Sequence, residues 1–266
     1  MTTTAESPHA AYFAFRDRLL GDLRTTVLNG EQLCEAGRLI YGRPEGLSLY
    51  GIPAPRMESA GIRLLGRTTI ECCVDDYAVD VADALAELHG PLPYGGETPL
   101  LVDLFCGSGN FSHHLGTRLG ITVHAAESDP DVHDATRHNL DRVGADTRLH
   151  LGDYGDLLGK LPARSDRDTY FVEPPWGPAF TPAGLDLTRT APPVPRILDD
   201  ITRSRAGRPC LIAVKTNDLI AHDSLDRAFT GAEHLRSITP PPVLPHGANM
   251  HFHLYRLGSG NDAHSR

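Results

Sequence analysis

From about Leu100 onward, short apolar segments alternate with longer polar stretches of helical character, and this rhythm constrains the fold more than any other feature of the chain. The segments are 100–105 (LLVDLF), 122–127 (TVHAAE), 147–151 (TRLHL), 169–173 (TYFVE) and 210–214 (CLIAV). Strands that alternate with helices are joined by crossovers and pair in parallel, and a strand covered on both faces reads as an apolar run. The expected fold class is therefore α/β with a mostly parallel sheet. Pro130 suits a first helical turn, Val132, Ala135, His138, Leu140 and Val143 keep a helical period, and Gly144 stops it, which predicts a helix over 130–143. Segments 235–238 (LRSI) and 250–257 (MHFHLYRL) read as an antiparallel hairpin at the C-terminal edge of the sheet, joined through the proline-rich 240–245.

Before residue 95 the pattern is mainly helical. Residues 9–20 and 31–41 read as helices, a Gly/Pro-rich passage leads to alternating Ile70, Cys72 and Val74, and Asp75 and Asp76 offer an N-cap for a helix to about Leu88. Tyr77, Val81, Leu85 and Leu88 would form its buried stripe. The chain divides into 1–95, a cap that covers the substrate, 96–258, which carries the chemistry, and a flexible tail over 259–266.

The balance of 25 basic against 34 acidic residues, a formal charge of -9, leaves no broad basic face for tight nonspecific nucleic-acid binding. Five cysteines form an odd set without C-x-x-C spacing, so reduced thiols and no metal are expected. His251 and His253 would share a strand face with Tyr255, read as a polar solvent face because no third ligand is specified. No apolar run approaches the roughly 18 residues of a membrane span, and MTTTAESPHA lacks a charged n-region followed by an apolar stretch, so the expected location is cytoplasmic.

The first apolar segment ends in Asp103, Leu104, Phe105, Cys106, Gly107, Ser108, Gly109, Asn110 and Phe111, a glycine turn leading into a helix. Glycines there let a ligand approach the backbone and the helix amides, and an acid about 20 residues on, Glu127 with Ser128 beside it, stands where ribose hydroxyls would be met. This turn alone does not separate a sulfur nucleoside from a nicotinamide dinucleotide, although Ser112 stands where the third dinucleotide glycine would be. Asp153 and Tyr154 follow the third segment on the adenine side. The fourth segment ends in Glu173, Pro174, Pro175 and Trp176, then Gly177, Pro178, Ala179 and Phe180. Two prolines fix φ and hold a carboxylate, an acceptor carbonyl and an aromatic face rigidly at the strand end.

On these residues the chain resembles the class I S-adenosylmethionine-dependent methyltransferases over roughly 96–257, with Glu173 to Trp176 similar to the Asp/Asn/Ser-Pro-Pro-aromatic motif of amino-group methyltransferases, the trimethylguanosine synthase-like and RNA guanine-N2 enzymes among them. The resemblance implies a Rossmann-like sheet, S-adenosyl-L-methionine as cofactor with S-adenosyl-L-homocysteine as product, and Asp103, Phe105 to Phe111, Glu127, Ser128, Asp153 and Tyr154 as the cofactor site. It implies Glu173, Pro174 and Trp176 as catalytic residues, with Pro175, Trp176 and Phe180 against the substrate. Glu173 departs from the motif and suits a cationic amine or a target that must lose a proton. The phrase DLFCGSGNFS is also similar to uridine C5-methyltransferases, but Lys215, Thr216 and Asn217 stand where those place a nucleophilic cysteine. N-methylation of a small nitrogen-containing acceptor is favoured by the acidic charge. The alternatives are an RNA or cap guanine-N2 methyltransferase, an NAD(P)-dependent oxidoreductase, and a non-catalytic binding module.

Overall fold

The computed structural model describes residues 8–91, 96–221, 223–241 and 249–258. Helix α1 (Pro8–Leu20) is followed by α2 (Gly30–Tyr41), whose start is fixed by a reciprocal cap: the Asn29 side-chain Oδ1 accepts from the Gln32 backbone amide at 2.9 Å and the Gln32 side chain accepts from the Asn29 backbone amide at 3.0 Å. A two-residue hairpin, β1 (Ser48–Leu49) with β2 (Ile52–Pro53), precedes the short helices α3 (Ala54–Met57) and α4 (Gly66–Glu71) and the long α5 (Asp75–His89).

Two expectations are corrected here. Ile70 is helical, and Cys72, Cys73 and Val74 form an extended link in which three consecutive residues are buried, so the apparent alternation is not a strand. Asp75 does not cap α5, whose N-cap is Val74; it stands in the first turn and turns its carboxylate to the cap hairpin.

The second part runs β3 (Leu101–Asp103), α6 (Asn110–Leu119), β4 (Val123–Glu127), α7 (Pro130–Val143), β5 (Thr147–Leu151), α8 (Tyr154–Leu158) and β6 (Thr169–Val172). A small hairpin of β7 (Phe180–Thr181) and β8 (Gly184–Leu185) leads to α9 (Val194–Ser204), β9 (Cys210–Asn217), α10 (Ser224–Ala228), β10 (Glu233–Ile238) and β11 (Met250–Leu257). The seven-stranded sheet has the order β10-β11-β9-β6-β3-β4-β5, parallel except for β11, which pairs antiparallel with both β9 and β10. This is a Rossmann-like, mostly parallel sheet, with its C-terminal hairpin at one edge. Residues 242–248, which include most of the proline-rich connector and His246, and the tail 259–266 lie outside the described residues.

Side chains alternate across the strands, and the alternation decides what each face carries. Leu101, Val123, Phe171 and Ala213 point to one face, where they join Phe15, Leu33, Ile40, Met57, Val81 and Leu85 of the cap in one continuous core. Val102, Ala126, Val172 and Val214 point to the other, against Leu157, Ile197 and Ile201. The cap thus shares its core with the sheet. Residues 92–95, where the sequence places the boundary, are outside the described set.

Candidate cofactor and acceptor site

Following the alternation to the carboxyl ends of the strands puts Asp103, Glu127, Glu173 and Lys215 on the cap-covered face, two residues beyond Leu101, Ala125, Phe171 and Ala213 in turn. The order of the sheet reverses between β3 and β6, so these ends flank the crevice where open α/β sheets bind ligands.

The glycine turn closes at this crevice. The Cys106 amide donates to the Ala126 carbonyl at 2.9 Å, and the Gly109 amide donates to the Cys106 carbonyl at 2.7 Å. Gly109 adopts φ +72°, and a Cβ there would lie 2.9 Å from Thr136 Cγ2 on α7, so both conformation and space demand glycine. Gly107, at φ +49°, has open space where a Cβ would stand. Ser112 donates to Asp103 Oδ2 at 2.8 Å, while Asp103 Oδ1 is buried without a well-formed hydrogen bond, with the Phe105 amide alongside. Burial, with the Glu173 and Glu127 carboxylates nearby, pushes the Asp103 carboxyl up to about 7.

The other residues of this segment divide by role. Phe111 is buried and stacks on Phe171 with ring centroids 3.7 Å apart, so its ring belongs to the core. Cys106 and Ser108 are buried, and burial raises the Cys106 thiol well above its ordinary value. Phe105 lies 5.2 Å from the Tyr154 ring, and Tyr154 donates to Asp200 at 2.7 Å.

Glu127 is tied into the turn: Oε2 accepts from the Gly107 amide at 3.1 Å and Oε1 from the Asp129 amide at 2.8 Å. Burial raises its carboxyl despite those amides and the Arg67 guanidinium. Arg67 pairs with Glu71 Oε2 at 3.0 Å within α4 and reaches over to Asp129 Oδ2 at 2.7 Å, a contact between distant segments that sequence reading missed. Ser128 is exposed. Asp153 is also exposed and caps α8, accepting from the Gly155 amide at 2.7 Å.

At the end of β6, Glu173 Oε1 accepts from Lys215 Nζ. Burial pushes the Glu173 carboxyl up, opposed by Lys215; Lys215 loses hydration on burial, but the carboxylate outweighs that and holds it above its ordinary value. Pro174 is buried and Pro175 exposed. Trp176 is half-buried against the second core, its ring 6.1 Å from the exposed Phe180, and its indole N–H is buried without a protein partner among the described residues. Lys215 is the main site residue that sequence reading passed over. The signal was there: it is one of two lysines, and it closes an apolar strand.

The cap is locked to the glycine turn. Asn110 accepts from the Tyr50 amide at 2.6 Å and donates to the Cys73 carbonyl at 2.8 Å, while the Tyr50 hydroxyl donates to the Ser108 carbonyl. Tyr50 holds φ 58°, an unfavourable region for a bulky residue. Asp75 accepts from Ser48 at 2.5 Å and from the Gly51 amide at 2.9 Å, and lies 2.7 Å from His114 Nε2. Asn110→Ala would leave two buried backbone groups unpaired and is expected to cost about 2–3 kcal/mol in urea unfolding. A loss under about 0.5 kcal/mol would show that water replaces both bonds.

The histidine strand corrects another expectation. His253 is buried, bonded to Thr216 Oγ1 at 3.1 Å and Ser237 Oγ at 2.8 Å, and burial pushes it down to about 4, because β10 and β9 cover it on either side. It is not on a solvent face. Among the described residues no group of three or more His, Cys, Asp or Glu is placed to hold a metal ion, all five cysteines are free, and no helix is long and apolar enough to cross a membrane.

No family model matches the chain, and no curated protein matches it in sequence. Among solved structures the fold is similar to that of MtNAS, in a crystal structure with MTA and tNA, at 13% identity over 95% of this chain and 78% of that one, with a TM-score of 0.50. It is similar to cofactor-bound Rv0187 from MTB at 13% identity over 97% of this chain and all of that one, again with a TM-score of 0.50. At such identities the likeness is one of fold, and it extends over the cap as well as the sheet.

Proposed function

We propose that a chain folded in this way, with four ionisable groups at the ends of four neighbouring strands, is an S-adenosylmethionine-dependent methyltransferase acting on a nitrogen of a small acceptor. The observation that carries this reading is Glu127, held by the Gly107 amide at the mouth of the glycine turn, on the same strand-end edge as Glu173 and Pro174, with β3 between them. The two solved structures of similar fold hold a cofactor and MTA respectively, which supports the same class of ligand here.

The residues fit such a ligand. Each oxygen of Glu127 accepts a backbone amide and retains a lone pair for a ribose hydroxyl. Gly107 opens on space, and Asp103 Oδ1 is a buried acceptor without a well-formed bond. Phe105 and Tyr154 form the aromatic side, with Ser128 and Asp153 at the rim. When bound, S-adenosylmethionine supplies an electrophilic methyl group on a sulfonium sulfur. The chain supplies orientation: Glu173 and the Pro174 carbonyl accept the acceptor's N–H groups and aim its lone pair, with Trp176, Pro175 and Phe180 as the wall behind it. The formal charge of -9 favours a small acceptor over RNA.

Calorimetric titration with S-adenosylhomocysteine, NAD and NADP tests the reading. Micromolar binding of S-adenosylhomocysteine alone is expected, and Glu127→Ala should weaken it roughly 30- to 100-fold, the effect of about 2–3 kcal/mol of hydrogen bonding to a charged acceptor. Binding of a nicotinamide dinucleotide instead, or an unchanged affinity in Glu127→Ala, would overturn it.

A further inference from the structure

Two carboxylates face Glu127 across the strand ends, Asp103 from the end of β3 and Asp129 from the start of α7, and the Cys106 thiol of the glycine turn faces it as well. The cation that answers them is Arg67. It belongs to α4 of the cap and not to the sheet.

Arg67 is held at both ends. Its backbone amide donates to the Arg24 carbonyl at 3.2 Å and the Gly66 amide donates to the Thr26 carbonyl at 3.2 Å, which seats the first turn of α4 on the segment between α1 and α2. One turn on, Glu71 accepts from Nε at 3.0 Å, and Nη1 is left to donate to Asp129 Oδ2 at 2.7 Å. Side-chain exposures of 18% for Arg67 and 29% for Asp129 keep this contact from being the freely solvated kind that contributes little.

Asp129 passes the constraint on. Its Oδ1 accepts from the Asp131 and Val132 amides at 3.0 and 3.3 Å and so caps α7, while its own backbone amide donates to Glu127 Oε1 at 2.8 Å. With the Gly107 amide on Oε2, both oxygens of Glu127 are fixed. A ribose diol brings two O–H donors and needs both oxygens as acceptors, and a protonated carboxyl would give up one of them. Burial and the neighbouring carboxylates favour that protonated form, and the Arg67 charge opposes it.

We propose that Arg67 is a positioning residue for the cofactor, supplied by the cap: through Asp129 it fixes the amide that holds Glu127, and by its charge it keeps both Glu127 oxygens as acceptors for the ribose hydroxyls. The inference rests on the methyltransferase reading above and extends the cofactor site into the cap.

The measurement is the S-adenosylhomocysteine dissociation constant from about pH 6 to about pH 9, taken as the ratio of variant to wild type so that Asp103 and the ligand's own groups cancel. Arg67→Met is expected to weaken binding at least about tenfold at the acid end, as a rise of one pKa unit at Glu127 would, and about threefold or less at the alkaline end, where Glu127 ionises unaided. Arg67→Lys keeps the charge and should stay within about threefold of the wild type throughout. In a Glu127→Gln background there is no charge to hold, so Arg67→Met should cost about threefold or less with no dependence on pH. If Arg67→Met does not fold, Arg67→Gln, which can still donate to Asp129 but carries no charge, should show the same pH-dependent loss. An affinity within about threefold of the wild type at every pH overturns the inference. So does a loss of the same size at every pH, which would make Arg67 a structural contact only. Both results are read with S-adenosylhomocysteine still bound by the wild type; if the wild type fails to bind it, the methyltransferase reading falls and the inference with it.

Discussion

Replacing Arg205 by alanine is expected to cost about 3–5 kcal/mol, because it strands a carboxylate that has no access to water. Arg205 and Asp168 are fully buried, with side-chain exposures of 0% each, and lie 2.5 Å apart at the end of the sheet opposite the crevice. Arg205 also donates to the Tyr170 hydroxyl at 3.2 Å and to the carbonyls of Ser165, Pro209 and Arg208 at 2.8, 2.6 and 3.1 Å. Asp168 accepts from the amides of Leu100, Arg164 and Ser165 at 2.9, 2.8 and 3.0 Å. Burial alone would raise the Asp168 carboxyl, but the guanidinium and these amides outweigh it and hold it below its ordinary value. One pair therefore anchors the starts of β3, β6 and β9. Thermal and urea unfolding of Arg205→Ala should show the loss as a fall of roughly 10 °C in Tm. Pairing Arg205→Met with Asp168→Asn should recover part of it, since the amide still accepts backbone N–H groups and carries no charge. A single variant within about 1 kcal/mol of the wild type would mean that water reaches the site.

Asp103 should make stability fall as pH rises, the reverse of the usual carboxylate. Its folded value of about 7 lies above the unfolded value of about 3.9, so between those two the native state binds more protons than the unfolded chain. Stability contributed by the protonated form is complete below pH about 4 and is lost progressively up to pH about 7, by at most about 4 kcal/mol. Comparing the wild type with Asp103→Asn cancels the other carboxylates: the wild type should lose ground steadily across that range and run parallel to the variant above it. Parallel curves throughout would show that Asp103 is ionised when folded.

The parallel sheet was readable because its signal is local. Apolar runs at 122–127, 147–151 and 210–214 fall on β4, β5 and β9, and Pro130 and Gly144 bound α7 as a first-turn proline and a left-handed C-cap do. The glycine turn was equally legible, since positive φ at Gly107 and Gly109 is a demand of the backbone itself. The link at 72–74 misled because three adjacent buried residues mimic a strand when only their composition is seen, and His253 misled because the cover over its face comes from β9 and β10.

Local sterics and the period of apolar residues thus sufficed for the strands of the parallel sheet and for α7, and they marked the two segments, 103–111 and 173–176, that the tertiary structure brings to the crevice. Tertiary structure alone could decide which distant groups meet. Lys215 joins Glu173 across 42 residues, Tyr50 meets Asn110 across 60, and Arg205 finds Asp168 across 37. Such partnerships depend on which strands become neighbours and on how a cap closes over them, and these follow from the burial of a shared core, which no window of local sequence contains.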